Sequence, residues 1–254
     1  MESAQVTEAF KDHFSNHAET YAKYRPSYPD ELFAFLSQVS NAHALAWDCA
    51  TGNGQAARGL AAFFSEVFAT DASAAQIEHA FSHPKIRYAV APAEACPLAN
   101  QSCDLITVAT GIHWFDIDRF YAEVRRVLKP GGVIAVWVYH GWKANHGLSE
   151  LLTRFDHEIL ESYWPEETRK WVTNGYRDLP FPFAEILAPE FKLKLNVSKD
   201  DILGFLWSWS GTQRYTKARG TDPTLLIRED LDGIFSGDRE RIDLTLKLSL
   251  RVGR

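Results

Sequence analysis

Between residues 44 and 139 the chain alternates apolar runs with helical stretches, and that rhythm leaves few folds open. The apolar runs lie at 44–49, 66–70, 86–91, 103–109 and 132–139, with helical patterns at about 54–64, 73–81 and 117–127 between them. Apolar runs joined by helices of this length indicate parallel strands with right-handed crossovers. Two later runs, 191–197 and 242–251, alternate apolar and polar residues with period two, which marks strands with one buried face. The expectation is an α/β chain whose parallel sheet is finished by an antiparallel pair.

The first run ends in a turn, Asp48-Cys49-Ala50-Thr51-Gly52-Asn53-Gly54, that leads into an alanine-rich helical pattern. Glycines there allow positive φ and let a ligand approach the main chain without meeting a Cβ. Strand, glycine turn and helix together make a nucleotide-binding corner, and Gly52-x-Gly54-x-x-Ala57 also fits a dinucleotide fingerprint. The acids at the strand ends bear on the choice. Asp71 closes the second run, nineteen residues after Gly52, where a carboxylate can accept both hydroxyls of a ribose. Asp48 stands below the turn, where it can organise loop amides or receive an ammonium group. A ligand with a ribose and an amino acid end, such as S-adenosylmethionine, suits both acids and brings no phosphate to the helix N-terminus.

Composition excludes several classes. A length of 254 residues with 46% hydrophobic content can bury a full core, and a net charge of −6 gives no electrostatic case for nucleic acid. No run approaches the roughly 18–20 apolar residues that span a bilayer, so no membrane partner is expected. The N-terminus begins polar and acidic, unlike a signal peptide. Cys49, Cys96 and Cys103 lack metal-ligand spacing and are odd in number, which suits reduced thiols in a cytoplasmic protein without a bound metal.

Around the αβ core, residues 1–40 read as a lid of two helices, about 7–22 and 29–39, broken at Pro26. Leu128-Lys129-Pro130-Gly131-Gly132 reads as a helix stop and a turn into the fifth strand. Residues 140–190, rich in Trp, Tyr, Pro and charge, read as a helical cap insertion, and 191–254 complete the sheet. One domain over 1–254 is expected.

Six segments then follow in an order that carries a resemblance: the Asp48 turn; Thr70-Asp71-Ala72-Ser73; Ala93-Glu94 through Pro97-Leu98; Ser102-Cys103-Asp104-Leu105-Ile106; His113-Trp114-Phe115-Asp116; and Val124 to Gly132. Together they resemble a class I S-adenosylmethionine-dependent methyltransferase, and more narrowly the small-molecule subgroup that includes the trans-aconitate methyltransferases. Tyr21 to Pro29 and Trp207-Ser208-Trp209-Ser210 belong to the same resemblance, which covers nearly the whole chain. It implies a Rossmann-like seven-stranded mixed sheet, mostly parallel with the last strand antiparallel, flanked by helices, with an N-terminal helical lid and a helical insertion after the fifth strand. It also implies S-adenosylmethionine as cofactor and a small-molecule acceptor, for a monomer or homodimer.

Carried over, the resemblance places the methionine part of the cofactor over 50–54, including Ala50, Gly52 and Gly54. Asp48 would serve beneath the turn, Asp71 would bind the ribose with Ala72 beside the adenine, and the Ala93 amide would meet the adenine edge. Thr110 would line the sulfonium region, and Tyr21 and Arg25 would come from the lid, Arg25 pairing with the cofactor carboxylate. Two positions depart from the family pattern. Ala50 replaces a glycine, which fits if it keeps negative φ. Pro92 stands where relatives hold an acid for the adenine amino group, a contact that either Glu94 or a main-chain carbonyl can take over.

Methyl transfer is an in-line displacement in which alignment and exclusion of water are the enzyme's main tasks. A carboxylate acceptor needs no base, and no acid–base pair stands out, so O-methylation of a carboxylate is the expected activity. His113, just past the fourth strand, is the candidate catalytic group, as base or as hydrogen-bond donor to substrate; a helix-capping or structural histidine is the plain alternative. Trp114, Trp142 and Trp209 are expected with it at the substrate pocket, where Trp164, Trp207 and Tyr215 are either further wall or the core of the cap. Two other functions stay open on the residues alone: an NAD(P)-dependent Rossmann oxidoreductase, and a catalytically silent S-adenosylmethionine-binding protein.

Overall fold

The computed structural model describes residues 24–238 and 240–254, so the helix expected over 7–22 and Tyr21 lie outside the described residues. Helix α1 (Asp30–Val39) starts after Pro29 and carries Asp30 and Glu31 in its first turn, where the positive end of the helix favours acids. Seven strands follow: β1 (Leu45–Cys49), β2 (Glu66–Asp71), β3 (Ile86–Val90), β4 (Cys103–Ala109), β5 (Leu128–Ala144), β6 (Phe191–Ser198) and β7 (Arg241–Gly253). They form one sheet in the order β3-β2-β1-β4-β5-β7-β6. The first five pair in parallel, and β7 runs antiparallel between β5 and β6. The expected mixed sheet is therefore present.

Crossover helices cover both faces. Alternation along β1 sends Ala46 into one apolar cluster with Leu32, Leu36, Ala57 and Leu60, from α1 and α2 (Gln55–Leu60). Its neighbour Trp47 enters the opposite cluster with Phe120, Val124 and Val127 of α4 (Ile117–Val127), the crossover α3 (Ala74–Glu78) lying between β2 and β3. Burying Trp47 without loss requires a partner for its indole N–H, and Thr70 Oγ1 accepts it at 2.8 Å from β2. Asp116 caps α4 by accepting from the Arg119 amide.

The order reverses between β1 and β4, both followed by crossovers on opposite sides. This switch point opens a crevice beyond their carboxyl ends. Near that end lie α5 (Leu148–Arg154), continued by a π-helical turn (Phe155–Ile159), then α6 (Glu166–Trp171), and after β6 the helices α7 (Lys199–Trp207) and α8 (Ser210–Arg219), with α9 (Arg228–Ile234) packed on α5. Ser198 and Asp201 start α7 with a reciprocal capping box.

Strand β5 departs from expectation at both ends. It begins at Leu128, through the Pro130-Gly131-Gly132 stretch read as a turn, and it continues past 139 to Ala144. The cause is its partners. Leu128 pairs with Cys103 ahead of a register shift, and β7 is long enough to pair Trp142, Lys143 and Ala144 with Leu246, Thr245 and Leu244. Trp142 is thus a strand residue.

Candidate active site

The crevice is built on strained backbone. Ala50, Gly52 and Gly54 have φ of 54°, 56° and 90°. Ala50 therefore does not keep the negative φ on which its fit was expected to rest; three left-handed positions close the turn, and an alanine there costs about 1 kcal/mol. Thr110, at the end of β4, also lies at φ 58°. A Cβ on Gly111 would sit 2.9 Å from the Ala50 Cβ, so the loops after β1 and β4 pack directly on each other.

Asp48 and Asp71 organise the turn. Asp48 is fully buried and accepts hydrogen bonds from Thr51 Oγ1 at 2.6 Å and Thr107 Oγ1 at 2.7 Å. Burial pushes its carboxyl up to about 6, against the pull of those hydroxyls, and nearby Asp71 adds to the rise. At the end of β2, half-buried Asp71 accepts the Gly52 amide at 2.9 Å and the Ser73 amide at 2.9 Å. Ser73 in turn caps α3 by accepting from the Gln76 amide. Ala72 lies beside Asp71 at half exposure, and Ala93 is buried in the loop after β3. Glu94 Oε1 accepts the Asp116 amide at 3.0 Å, which ties that loop to the start of α4.

A pH effect follows from Asp48. Its folded pKa lies above the unfolded one, so the unfolded chain gives up the proton first, and stability falls as pH rises from about 4 to about 6. The cost above that window is on the order of 3 kcal/mol for a fully buried group. Asp48→Asn should therefore gain stability relative to the parent between pH 4 and pH 7, by about 1–3 kcal/mol in urea titrations of ligand-free protein. A difference that does not move with pH would show that Asp48 is not desolvated as described.

Past β4 the chain makes a single 3-10 turn, Ile112–Trp114. His113 on this turn is 6% exposed, and its Nδ1 lies 2.8 Å from Tyr176 Oη, a fully buried phenol at φ 62°. The phenol is the stronger acid and the imidazole nitrogen the stronger base, so Tyr176 donates and the ring proton resides on Nε2. Nε2 has no protein partner among the described residues. Burial, and then Arg25, pull the imidazole down to about 3, so His113 is neutral at any physiological pH. That suits a hydrogen-bond donor and makes a poor base.

A cavity of about 340 Å³ opens beside this histidine, lined by Thr110, His113 and Trp114 at one side and by the cap at the other. Arg25 enters it from the N-terminal side: Nη1 donates to Tyr139 Oη, Nη2 to the Ser208 carbonyl at 2.9 Å, and its own carbonyl accepts from Gln55 Nε2. Trp142 and Trp209, expected at the pocket, both line it and stack at 5.2 Å, with Trp164 5.4 Å from Trp209. Wall and core are thus the same residues. Trp207 instead faces a second hollow with Tyr24, and Tyr215 packs on Tyr163. Residues that sequence reasoning missed are Tyr139, Asp156, Arg169 and Tyr176; the last carried no local signal, since its role depends on a contact 63 positions away.

The donor set suits the expected cofactor. Two carboxylates frame the turn, and residues 48–55 hold no lysine or arginine, which fits a ribose and an ammonium group better than a pyrophosphate. Among the described residues no cluster of metal-ligating side chains occurs, and no helix is long and apolar enough to cross a membrane.

Comparison with known proteins agrees with this geometry. A family model described as a methyltransferase domain matches residues 47–136. A protein of Dictyostelium discoideum named as a methyltransferase is 32% identical over 96% of this chain and 95% of its own length. One of Saccharomyces cerevisiae, named as an S-adenosylmethionine-dependent methyltransferase, is 24% identical over 91% of this chain and 90% of its own. The solved structure of a protein from Anaeromyxobacter dehalogenans, titled as a type II methyltransferase, is 39% identical, covers 91% of this chain and 98% of its own, and superposes with a TM-score of 0.82.

Proposed function

Because the chain belongs to the class I S-adenosylmethionine-dependent methyltransferases, we propose that it methylates a carboxylate oxygen of a small-molecule acceptor. One observation carries this reading: a permanent cation, Arg25, and a histidine held neutral, His113, line the same cavity. An acceptor that must lose a proton would need a base there. An acceptor that arrives as an anion needs a counter-charge and a hydrogen-bond donor, and both are present. The family leaves no place for the nicotinamide oxidoreductase.

When bound, S-adenosylmethionine supplies an electrophilic methyl group, which a carboxylate oxygen takes up with no proton to dispose of. In this reading the 50–54 turn receives the methionine part, Asp71 the ribose, Ala72 and the Ala93 amide the adenine, and Thr110 borders the methyl. Arg25, whose guanidinium reaches into the acceptor cavity, is assigned to the acceptor carboxylate rather than to the cofactor's. His113 Nε2–H orients the second carboxylate oxygen, and Tyr176 fixes the tautomer that makes this possible. The aromatic walls exclude water from the reacting centre.

With no titrating base, kcat at saturating cofactor should stay level from about pH 8 to about pH 5.5 and fall only as the acceptor carboxyl protonates near pH 4–5. Tyr176→Phe should lower kcat/KM about 5- to 20-fold, the worth of one hydrogen bond, without introducing a new limb into that profile. A limb near pH 6.5 in the parent that vanishes in His113→Gln would restore His113 as a base and remove the support for a carboxylate. A tightly bound cofactor without turnover of any acceptor would favour a silent binding protein.

A further inference from the structure

The cavity is not uniformly polar. Its reactive side holds Arg25, Thr110 and His113. A chain of ring contacts also lines it: Phe205 lies 6.2 Å from Tyr139 and 5.4 Å from Trp209, and Trp209 lies 5.2 Å from Trp142 and 5.4 Å from Trp164. The π-helical turn brings Asp156 to the cavity wall as well. Such turns add a residue to a helix and re-aim its side chains, and they recur at binding sites.

Asp156 is paired with its neighbours on this wall, Arg169 and His157, whose Nε2 lies 3.5 Å from Asp156 Oδ2. Asp156 Oδ1 lies 3.4 Å from Arg169 Nη1, the Asp156 carbonyl accepts from Arg169 Nη2 at 2.8 Å, and Trp164 Nε1 donates to the same carbonyl at 3.2 Å. The Asp156 side chain is only 15% exposed. Any second anion on an acceptor would meet a desolvated carboxylate whose arginine is already engaged. His140, also on the wall, is held below its usual range by burial and by Lys247 and so offers no charge at neutral pH. An apolar group there would displace poorly held water from tryptophan surface, which is favourable.

Resting on the carboxylate reading above, we propose that the acceptor is a hydrophobic monocarboxylic acid. Its single carboxylate lies at Arg25 and His113, and its apolar body lies along Phe205, Trp209, Trp142 and Trp164. Asp156 acts as a selectivity residue that rejects di- and tricarboxylates.

The test uses the full chain with matched acid pairs: phenylacetate, 3-phenylpropanoate and 4-phenylbutanoate, each against its analogue with a second carboxylate on the ring. Methyl ester is read by mass spectrometry. Binding is read by calorimetry in the presence of S-adenosylhomocysteine, which needs no turnover. Monoacids should exceed their diacid partners at least 100-fold in kcat/KM and in affinity. Affinity should rise about fourfold per added methylene until the cavity is filled. Trp142→Leu should raise KM for the monoacids about tenfold with little change in kcat, and Asp156→Asn should raise diacid turnover at least tenfold.

Equal or better use of the diacids, or affinity that ignores body length, would overturn the proposal while leaving carboxylate methylation intact. If no acid is esterified but an alcohol or amine is methylated, the carboxylate reading fails instead. The calorimetric comparison then still decides on the hydrophobic body: mono- and diacids binding alike would reject it.

Discussion

Gly54→Ala should lower the free energy of unfolding by about 2–4 kcal/mol, the combined cost of a left-handed alanine and of overpacking. Gly54 has φ +90°, and a Cβ built there would lie 2.2 Å from Tyr88 Oη and 3.1 Å from Tyr88 Cζ. Tyr88 is anchored on β3, whose register places it beside Ala69 and so one strand further from Asp48. Urea titration measures the loss, and Tyr88→Phe separates its two causes. Tyr88 Oη is buried without a hydrogen-bond partner among the described residues, so removing it should cost little alone. In the double variant the nearest contact relaxes, and about half of the loss should return while the φ strain remains. Additive effects of the two substitutions would mean that the ring does not touch the turn.

Asp71→Ala should weaken binding of S-adenosylhomocysteine by roughly 10- to 200-fold, corresponding to about 1–3 kcal/mol of charged hydrogen bonding. The ligand-free protein should also lose about 1–3 kcal/mol of stability, because the Gly52 and Ser73 amides both lose their acceptor. The two readouts distinguish two roles. A carboxylate that only shapes the turn would change stability and leave residual affinity near the parent's once folding is ensured. One that only meets the ligand would change affinity alone. Asp71→Asn, which keeps one acceptor oxygen, should fall between parent and Asp71→Ala in both. Unchanged affinity by calorimetry in Asp71→Ala would remove the ribose assignment.

Strands β1 to β4 are legible in the sequence to within a residue or two: β1, β2 and β4 lie inside the sheet between helical layers and are largely apolar, while β3, the sheet edge with Arg87 and Val90 exposed, stops short of Pro92. The ends of β5 are not: its start is extended by pairing with β4, against the local turn chemistry at Pro130-Gly131, and its end by pairing with β7, more than a hundred residues away. The same limit applies in the site. Asp48, Asp71 and the glycine turn announce themselves through spacing. Tyr176 and Asp156 become visible only once the cap is folded over the crevice, where one meets His113 and the other joins Arg169 and Trp164. Ala50 is a different case. Its side chain favours negative φ, but closure of the turn and packing against Gly111 override that local preference.

Arg25 reads in the sequence as a cofactor clamp; its bonds to Tyr139 and Ser208 put its guanidinium on the cavity wall, and the proposal above assigns it to the acceptor carboxylate. The N-terminal side of the described chain, β5 and the C-terminal cap of α7 are thereby joined at one guanidinium. Acceptor recognition by arginine and chemistry without a base then belong to the same reading.

The most direct measurement is the chemical nature of the product. The protein is incubated with methyl-labelled S-adenosylmethionine and 3-phenylpropanoate, and the methylated compound is exposed to mild alkali. A carboxyl methyl ester, with label released as methanol by the alkali, is the predicted result. Label on an alkali-stable ether, amine or carbon in a broader acceptor set, with the acid itself unmodified, would contradict it.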